Sequence, residues 1–475
     1  MKVLLIAPHK AEYVYRVGHP PSVGLLCIAA VLRQAGHEPV IIDLNVVHSS
    51  ESVDRNEFCA RYVIDMIEDL QPGMIGVNCF TAARFPFVRH LAGTIKQKHP
   101  SLPIVIGGMH PTLFFQEILE NCPSINAIIL GEGEYQAVAL AEAYSSGVYK
   151  KIEALAYRDN NGQIIHNPRK SYINNLDSLP TPAWDLIKLE DYYSDHSTWH
   201  NPRGLEINMS VPIYTSRSCP YDCNFCSSKK VMGRGMRLRS PERVVDEMEI
   251  LYQKYGQNYF GFIDDILTLN KKHILNLCNE IIRRRMVIQL ESSVGYNLNS
   301  LDEEVIDAMV QAGCTYMILP IEHGNDRIRN EIIGKRLPRD KIFEVAAICK
   351  RYNVLTGATC IMGFPEDTNE TLTDTLDLLK ELQLDINNVL NIIPFPGTNI
   401  FDRAVREGLL FDEIDPGSLW EANMIMDAKG RQFYIKPYNM SLEELNEFRV
   451  IFDSMRFNSE RVKQLRENTS VTSQN

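Results

Sequence analysis

The sequence predicts an α/β protein in two parts. A doubly wound, Rossmann-like domain covers residues 1–145 and a partial (β/α)6 barrel covers residues 211–405. A linker with a small β element (146–210) joins them, and a small α-rich region with a hairpin and a helix (406–475) follows. Two observations carry this. Short apolar runs alternate with amphipathic helical patterns in two separate series, as parallel sheets require. Between the series, Leu179-Pro180-Thr181-Pro182-Ala183-Trp184 can continue neither a helix nor a central strand. At 475 residues the chain is long enough for two or three cores.

In the first series, strands are predicted over residues 3–7, 40–43, 74–79, 104–106 and 127–130, with helices over 23–34, 57–70, 85–98 and 112–120. Such a domain takes its ligand at the carboxyl ends of its strands. The residues there are Pro20-Pro21-Ser22-Val23-Gly24, Phe80-Thr81-Ala82, Gly107-Gly108-Met109-His110 and Gly131-Glu132-Gly133-Glu134. Residues 156–163 read as a hairpin with an Asn161-Gly162 turn.

In the second series, strands are predicted over 213–215, 259–263, 287–292, 316–321, 356–362 and 388–393. Helices fall near 241–255, 272–284, 303–312, 339–352 and 370–382. Six βα units make a barrel open on one side, with its chemistry at the C-terminal mouth. Beyond it come a hairpin over 423–435, a helix over 441–465 and a polar tail from 466 expected to fray.

Composition narrows the function classes. The chain is 45% hydrophobic and 23% charged, a soluble globular profile without an apolar run long enough for a transmembrane segment. The opening run Val3-Leu4-Leu5-Ile6-Ala7 is a strand rather than an export signal. A net charge of -11 argues against nucleic acid as the main partner. Eleven cysteines, an odd number, read as reduced thiols in a cytoplasmic protein, with some reserved for metal or redox chemistry. Cys278, Cys314, Cys349 and Cys360 fall in helix or strand patterns, where a thiol is a small hydrophobe.

The segment Cys219-Pro220-Tyr221-Asp222-Cys223-Asn224-Phe225-Cys226 follows the first strand of the second series. Clustered thiolates are soft ligands for zinc or iron–sulfur. Zinc sites usually close with four paired ligands. Three cysteines with no fourth nearby instead leave one iron of a four-iron cluster open.

This segment, with Phe225 before its last cysteine, resembles the signature of the radical S-adenosylmethionine (SAM) family. The resemblance implies that Cys219, Cys223 and Cys226 hold a [4Fe-4S] cluster, whose open iron binds SAM and whose electron cleaves it to a 5′-deoxyadenosyl radical. Phe262-Ile263-Asp264-Asp265 resembles the family's acidic motif for the SAM amino group, although an Asp pair after a strand equally suits a helix cap. Ser292 and Ser293 end the third strand, where the family often contacts SAM. Pro320-Ile321-Glu322-His323-Gly324 resembles the fourth-strand motif, with Glu322 the matching acid. Gly363-Phe364-Pro365 and Pro394-Phe395-Pro396-Gly397 match the fifth- and sixth-strand ends.

The N-terminal loops resemble those of the cobalamin-binding module of B12-dependent radical SAM enzymes. By that resemblance Val23, Gly24, Thr81, Gly107, Gly108, His110, Gly131, Glu132 and Gly133 face a cobalamin. The Asp-x-His-x-x-Gly motif that supplies an axial imidazole elsewhere is absent, since Asp43 leads to Leu44, Asn45 and Val46. His9, His19, His48 and His110 remain within reach of the site.

The whole is similar to the hopanoid C-methylases and related radical SAM methyltransferases. The implied activity is transfer of a methyl group from SAM, through methylcobalamin, to an unactivated carbon of a small molecule such as a hydrophobic polycyclic lipid. A radical cyclase, dehydratase or oxidoreductase without methyl transfer is the alternative. A reducing partner such as ferredoxin or flavodoxin is implied with either. The aromatic stretch 432–438 suits a substrate pocket or, equally, core packing.

Overall fold

The computed structural model describes residues 1–9, 20–48, 54–144, 151–192, 201–207, 209–292, 295–421 and 433–465. His19, Ser293, most of the predicted 423–435 hairpin and the 466–475 tail lie outside the described residues. The chain forms two compact units. The first comprises Met1–Tyr192, Lys230–Gly233 and Asp415–Ala428; the second comprises Tyr193–Lys229, Arg234–Ile414 and Lys429–Asn475.

The first unit is built on a seven-stranded sheet. Its strands are β1 (Lys2–Ala7), β2 (Glu38–Asp43), β3 (Met74–Asn78), β4 (Ile104–Gly107), β5 (Ala127–Ile129), β6 (Leu155–Arg158) and β7 (Ile164–Asn167), in the order β2-β1-β3-β4-β5-β6-β7. β1 to β5 are parallel, and β6 and β7 add antiparallel. β1 is apolar at every position from Val3 to Ala7 because helices cover both faces of a parallel sheet. Helices Val23–Gln34 and Glu134–Ala143 pack together, as do Arg55–Leu70 and Phe85–Lys98. The order reverses between β1 and β3, and that switch point opens the crevice for a ligand.

Two local expectations change here. The 156–163 hairpin is not a linker ornament, because β6 pairs with β5 and continues the sheet. The single helix over 112–120 is two short ones, Met109–Leu113 and Phe115–Asn121, broken at Phe114 (φ -118°, ψ 26°).

The second unit carries a six-stranded parallel sheet. Its strands are β8 (Val211–Ile213), β11 (Tyr259–Phe262), β12 (Gln289–Ser292), β13 (Cys314–Glu322), β14 (Leu355–Met362) and β15 (Ile386–Asn391), arranged in chain order from β8 to β15. Between β8 and β11 lies a small antiparallel pair, β9 (Ser216–Arg217) with β10 (Arg237–Leu238), which sequence reading did not anticipate. Helices Pro241–Tyr255, Lys271–Arg283, Glu303–Ala312, Arg339–Arg351 and Asn369–Leu382 make the crossovers, as a partial (β/α)6 barrel requires.

Strand parity separates an outer face from an inner one. On β13, Met317, Leu319 and Ile321 are fully buried, and Met317 meets Cys349 of the covering helix; Tyr316, Ile318 and Pro320 are half-exposed. The half-exposed set therefore faces the barrel interior. The edge strand β15 is covered by the C-terminal segment: Asn387 N–H donates to Arg456 O, and the Arg449 guanidinium donates to Val389 O. The predicted helix over 441–465 accordingly stops at Ser454, so that Phe457 can bridge Ile386.

Candidate functional site

The three thiols stand on the loop after β9, at the C-terminal mouth of the barrel, and each is half-exposed. The loop is fixed at both ends. Ser218 adopts a left-handed φ of 73°, and its N–H donates to Asp265 Oδ2 at 3.1 Å. In the middle, Asn224 N–H donates to Ile333 O (3.1 Å) while Ile400 N–H donates to Asn224 O (3.0 Å). Phe225 is half-buried between the second and third thiols. Burial pushes the Cys223 thiol up to about 11 and raises Cys219 and Cys226 as well, with Lys335 pulling all three down. Metal binding at such thiols therefore displaces protons.

Among the described residues, no three His, Cys, Asp or Glu side chains are gathered as around one metal ion. The thiols do interact electrostatically with one another. Three soft donors, spread more widely than a single ion's ligands, have the chemistry of a cluster's corners.

The predicted acids divide. Asp264 is 1% exposed and spends its carboxylate on its own scaffold. It accepts from Thr215 N–H (3.1 Å), Thr215 Oγ1 (2.9 Å) and Ser216 Oγ (2.5 Å), which locks the turn between β8 and β9. Burial pushes this carboxyl up to about 6, against the hydrogen bonds that pull it down. Asp265 is exposed and holds Ser218, one residue before the first thiol. Ser292 is fully buried in β12. Glu322 closes β13 in a left-handed conformation (φ 69°) and accepts from Lys335 Nζ at 2.7 Å. Burial alone would lower the Lys335 ammonium, but Glu322 and the neighbouring thiols hold it above its ordinary value. Lys335 escaped sequence reading. A π-helical turn, Ile328–Ile332, intervenes between the acid and its partner, so no regular spacing announces the pair.

The N-terminal candidates divide in the same way. His110 is 3% exposed, lies 4.8 Å from the rings of both Phe85 and Phe114, and its Nε2–H donates to Trp420 O at 2.9 Å. Burial pulls it down to about 4, so it is a neutral core histidine rather than a ligand-facing one. Glu132 is buried and accepts from Ile173 N–H, while the carbonyls of Leu130 and Glu132 accept from Arg169. The Gly131–Gly133 turn is thus stitched to a neighbouring segment. Gly108 is demanded by the chain itself: at φ 120°, a Cβ would lie 2.6 Å from Cys79 O. Gly107 is half-buried and Val23 is buried. Exposed at the strand ends are Gly24, where an added Cβ would meet no other described residue within 4 Å, Thr81, and Phe80 at 57%. His9 Nε2 bonds Asn56 Oδ1 at 2.9 Å, and His48 is exposed.

A parallel half-barrel with three thiols at its mouth, in one chain with a switch-point α/β sheet, defines the class of radical enzymes that couple a cluster to a second, sheet-bound cofactor. The family comparisons agree. Residues 213–379 match the Radical SAM superfamily and residues 14–141 match the B12 binding domain. An uncharacterized methyltransferase of Pyrococcus horikoshii is 30% identical over 86% of this chain and 84% of its own length. The chain therefore belongs to the radical SAM superfamily, in the branch with a B12-binding domain, and is an enzyme of that class.

Its family's cofactors are a [4Fe-4S] cluster, SAM and cobalamin. The thiol chemistry at the barrel mouth and the exposed glycine at position 24 fit them. The anaerobic magnesium-protoporphyrin IX monomethyl ester cyclase of Rubrivivax gelatinosus is 26% identical, covering 87% of this chain and 71% of its own. The hopanoid C-3 methylase of Methylococcus capsulatus is 24% identical, covering 86% and 73%. Among solved structures, the methyltransferase TsrM from Kitasatospora setae, with cobalamin and [4Fe-4S] cluster bound, superposes with a TM-score of 0.74 at 19% identity, covering 96% of this chain and 89% of that one. At that identity the likeness speaks for the fold.

Proposed function

We propose that this protein is a cobalamin-dependent radical SAM methyltransferase that places a methyl group from SAM on an unactivated carbon. The observation that carries the reading is the thiol loop at the barrel mouth, pinned by Asp265, Ile333 and Ile400 and flanked by the Glu322–Lys335 pair. When bound, the three cofactors supply an electron, a radical initiator and a methyl carrier. The chain's own residues do the rest. Cys219, Cys223 and Cys226 hold the cluster. Asp265 and Lys335 fix the loop and the acid beside it. Glu322 is the acid better placed to meet the amino group of SAM, because Asp264 is buried and its Oδ1 takes three donors from Thr215 and Ser216. Gly24 and Thr81 border the cobalamin. The inner face of the barrel orients the substrate and excludes water from a reactive radical.

Exposed apolar side chains at that mouth, Ile263 (45%) and Leu390 (54%), support a substrate with an apolar frame; a hopanoid-like polycyclic lipid is one candidate. A one-electron donor such as ferredoxin or flavodoxin belongs to this reading. So does a cytoplasmic setting, since no disulfide joins cysteines among the described residues. No helix among the described residues is long and apolar enough to cross a membrane.

The test is anaerobic. The protein is reconstituted with iron, sulfide and hydroxocobalamin, given reductant and SAM, and followed for 5′-deoxyadenosine and S-adenosylhomocysteine by mass spectrometry. Both products with retained cobalamin are expected, and with substrate a product heavier by CH2. The cyclase relative favours a second reading, radical oxidation without methyl transfer. 5′-Deoxyadenosine alone, without S-adenosylhomocysteine, would decide for it.

A further inference from the structure

The inner face of the barrel is not uniformly apolar. Glu291, on β12, is half-buried, whereas Gln289, Leu290 and Ser292 beside it are buried completely or nearly so. Its register partners, Gly261 on β11 and Tyr316 on β13, place it on the interior side. Room for it comes from Gly261, whose Cβ, if present, would lie 3.5 Å from Glu291 Oε1. Tyr259 donates its hydroxyl to Glu291 Oε2 at 2.6 Å. That bond is neutral. Among the described residues no Lys, Arg or His makes an ion pair with Glu291. The Tyr316 hydroxyl reaches the same interior, facing Gly357, whose Cβ would lie 3.0 Å from it.

A carboxylate half-withdrawn from water without a cation is costly, and exposed Ile263, two residues on from its register partner Gly261, and Leu390 on β15 add apolar surface to the same sheet. Glu247, by contrast, is paired with Arg239 at 2.7 Å. We propose that the substrate carries a protonated, amine-type nitrogen on an apolar frame, and that Glu291 binds this nitrogen inside the barrel. The inference rests on the methyltransferase reading only in taking the barrel interior as the place of the substrate. It also narrows that reading, since an all-hydrocarbon ring system offers Glu291 nothing to bind.

Full-length protein reconstituted with cluster and cobalamin, in the presence of SAM, is titrated by calorimetry with three probes of one shape: 1-adamantylamine, 1-adamantanol and adamantane-1-carboxylate. The amine is expected to bind at least tenfold more tightly than either of the others. Glu291→Gln should remove that preference, weakening the amine tenfold or more while leaving the alcohol within twofold. Tyr259→Phe, which removes the hydroxyl that donates to Glu291, should keep or strengthen the preference for the amine. Equal binding of the three probes, no binding of any, or an unchanged preference in Glu291→Gln overturns the proposal.

Should Glu291→Gln fail to retain its cluster, Tyr259→Phe decides: loss of amine preference there assigns the pair to barrel packing and also overturns it. Formation of S-adenosylhomocysteine once reductant is added to the same wild-type samples separates the two levels. If it forms and the amine is ignored, the substrate inference falls alone. If it does not form, the methyltransferase reading falls.

Discussion

Replacing Asp264 by Asn separates scaffold from ligand site. Burial raises this carboxyl from 3.8 to about 6. Two units at about 1.4 kcal/mol each make roughly 3 kcal/mol of pH-dependent stability. A carboxyl raised in the folded state favours folding most while it is protonated in both states. That contribution is present below pH 3.8 and is lost as pH rises through about 6. Asn does not titrate, but it turns an NH2 towards donors from Thr215 and Ser216, costing about 1–3 kcal/mol at every pH. The variant should therefore be clearly less stable than wild type near pH 4.5, and the gap should shrink as pH rises. Between pH 4.5 and 7.5 roughly 2 kcal/mol of the 3 appears, or about 4–8 °C in Tm for a unit of this size. Thermal unfolding across that range, with SAM affinity measured by equilibrium dialysis, is the assay. SAM should bind within about threefold of wild type, which a donor lost from the SAM site would not allow at roughly 1.4 kcal/mol per tenfold. A gap in Tm that ignores pH, joined to a tenfold or greater loss of SAM affinity, would refute the scaffold assignment.

Four other outcomes are expected. Lys335→Met leaves Glu322, 6% exposed, without its cation and should cost about 2–4 kcal/mol, read as a fall in Tm that Lys335→Arg recovers by at least half. Gly108→Ala forces a Cβ against Cys79 O at a left-handed φ and should cost about 1–3 kcal/mol in the cobalamin-free protein. Gly24→Trp adds bulk at an exposed position in the first turn of its helix and should leave that Tm nearly unchanged while lowering the cobalamin retained per chain; full retention would move the cofactor away from this helix. For His110, held down at about 4 against an ordinary 6.5, stability is present above pH 6.5 and is lost as pH falls through about 4. His110→Phe removes that loss, so the Tm of the variant relative to wild type should rise as pH falls from 6.5 to 4.5.

What could be read from the sequence was what depends on neighbours along the chain. Cysteine spacing, the βα alternation and the acidic strand ends are local, and each stands where the periodicity put it. What escaped depends on contacts distant in sequence. Nothing near His110 announces that Trp420, three hundred residues on, caps its imidazole. The 156–163 hairpin has a turn signal but no signal for the β5 edge it joins. The 441–465 helix is periodic throughout, yet a bridge from Phe457 to Ile386 ends it early. β8 was expected to reach Thr215 and stops at Ile213, because Thr215 turns to serve Asp264.

The same principle sorts the candidate residues by how their polar atoms are spent. Asp264, His110 and Glu132 have theirs committed to backbone or hydroxyl partners inside the protein, so mutating them should be read as a loss of shape. The three thiols, the exposed Asp265, Gly24 and Thr81 retain accessible surface at strand ends. Glu322 lies between the groups. Its cation, Lys335, is also the cation sensed by all three thiols. An amine bound at Glu322 would share that acid with Lys335 and so weaken the hold of Glu322 on the ammonium that the thiols sense. Binding at the acid and the charge state of the cluster loop are thereby coupled through one side chain. Lys335→Met should therefore change the midpoint potential of the cluster as well as Tm, whereas a purely structural pair would move Tm alone.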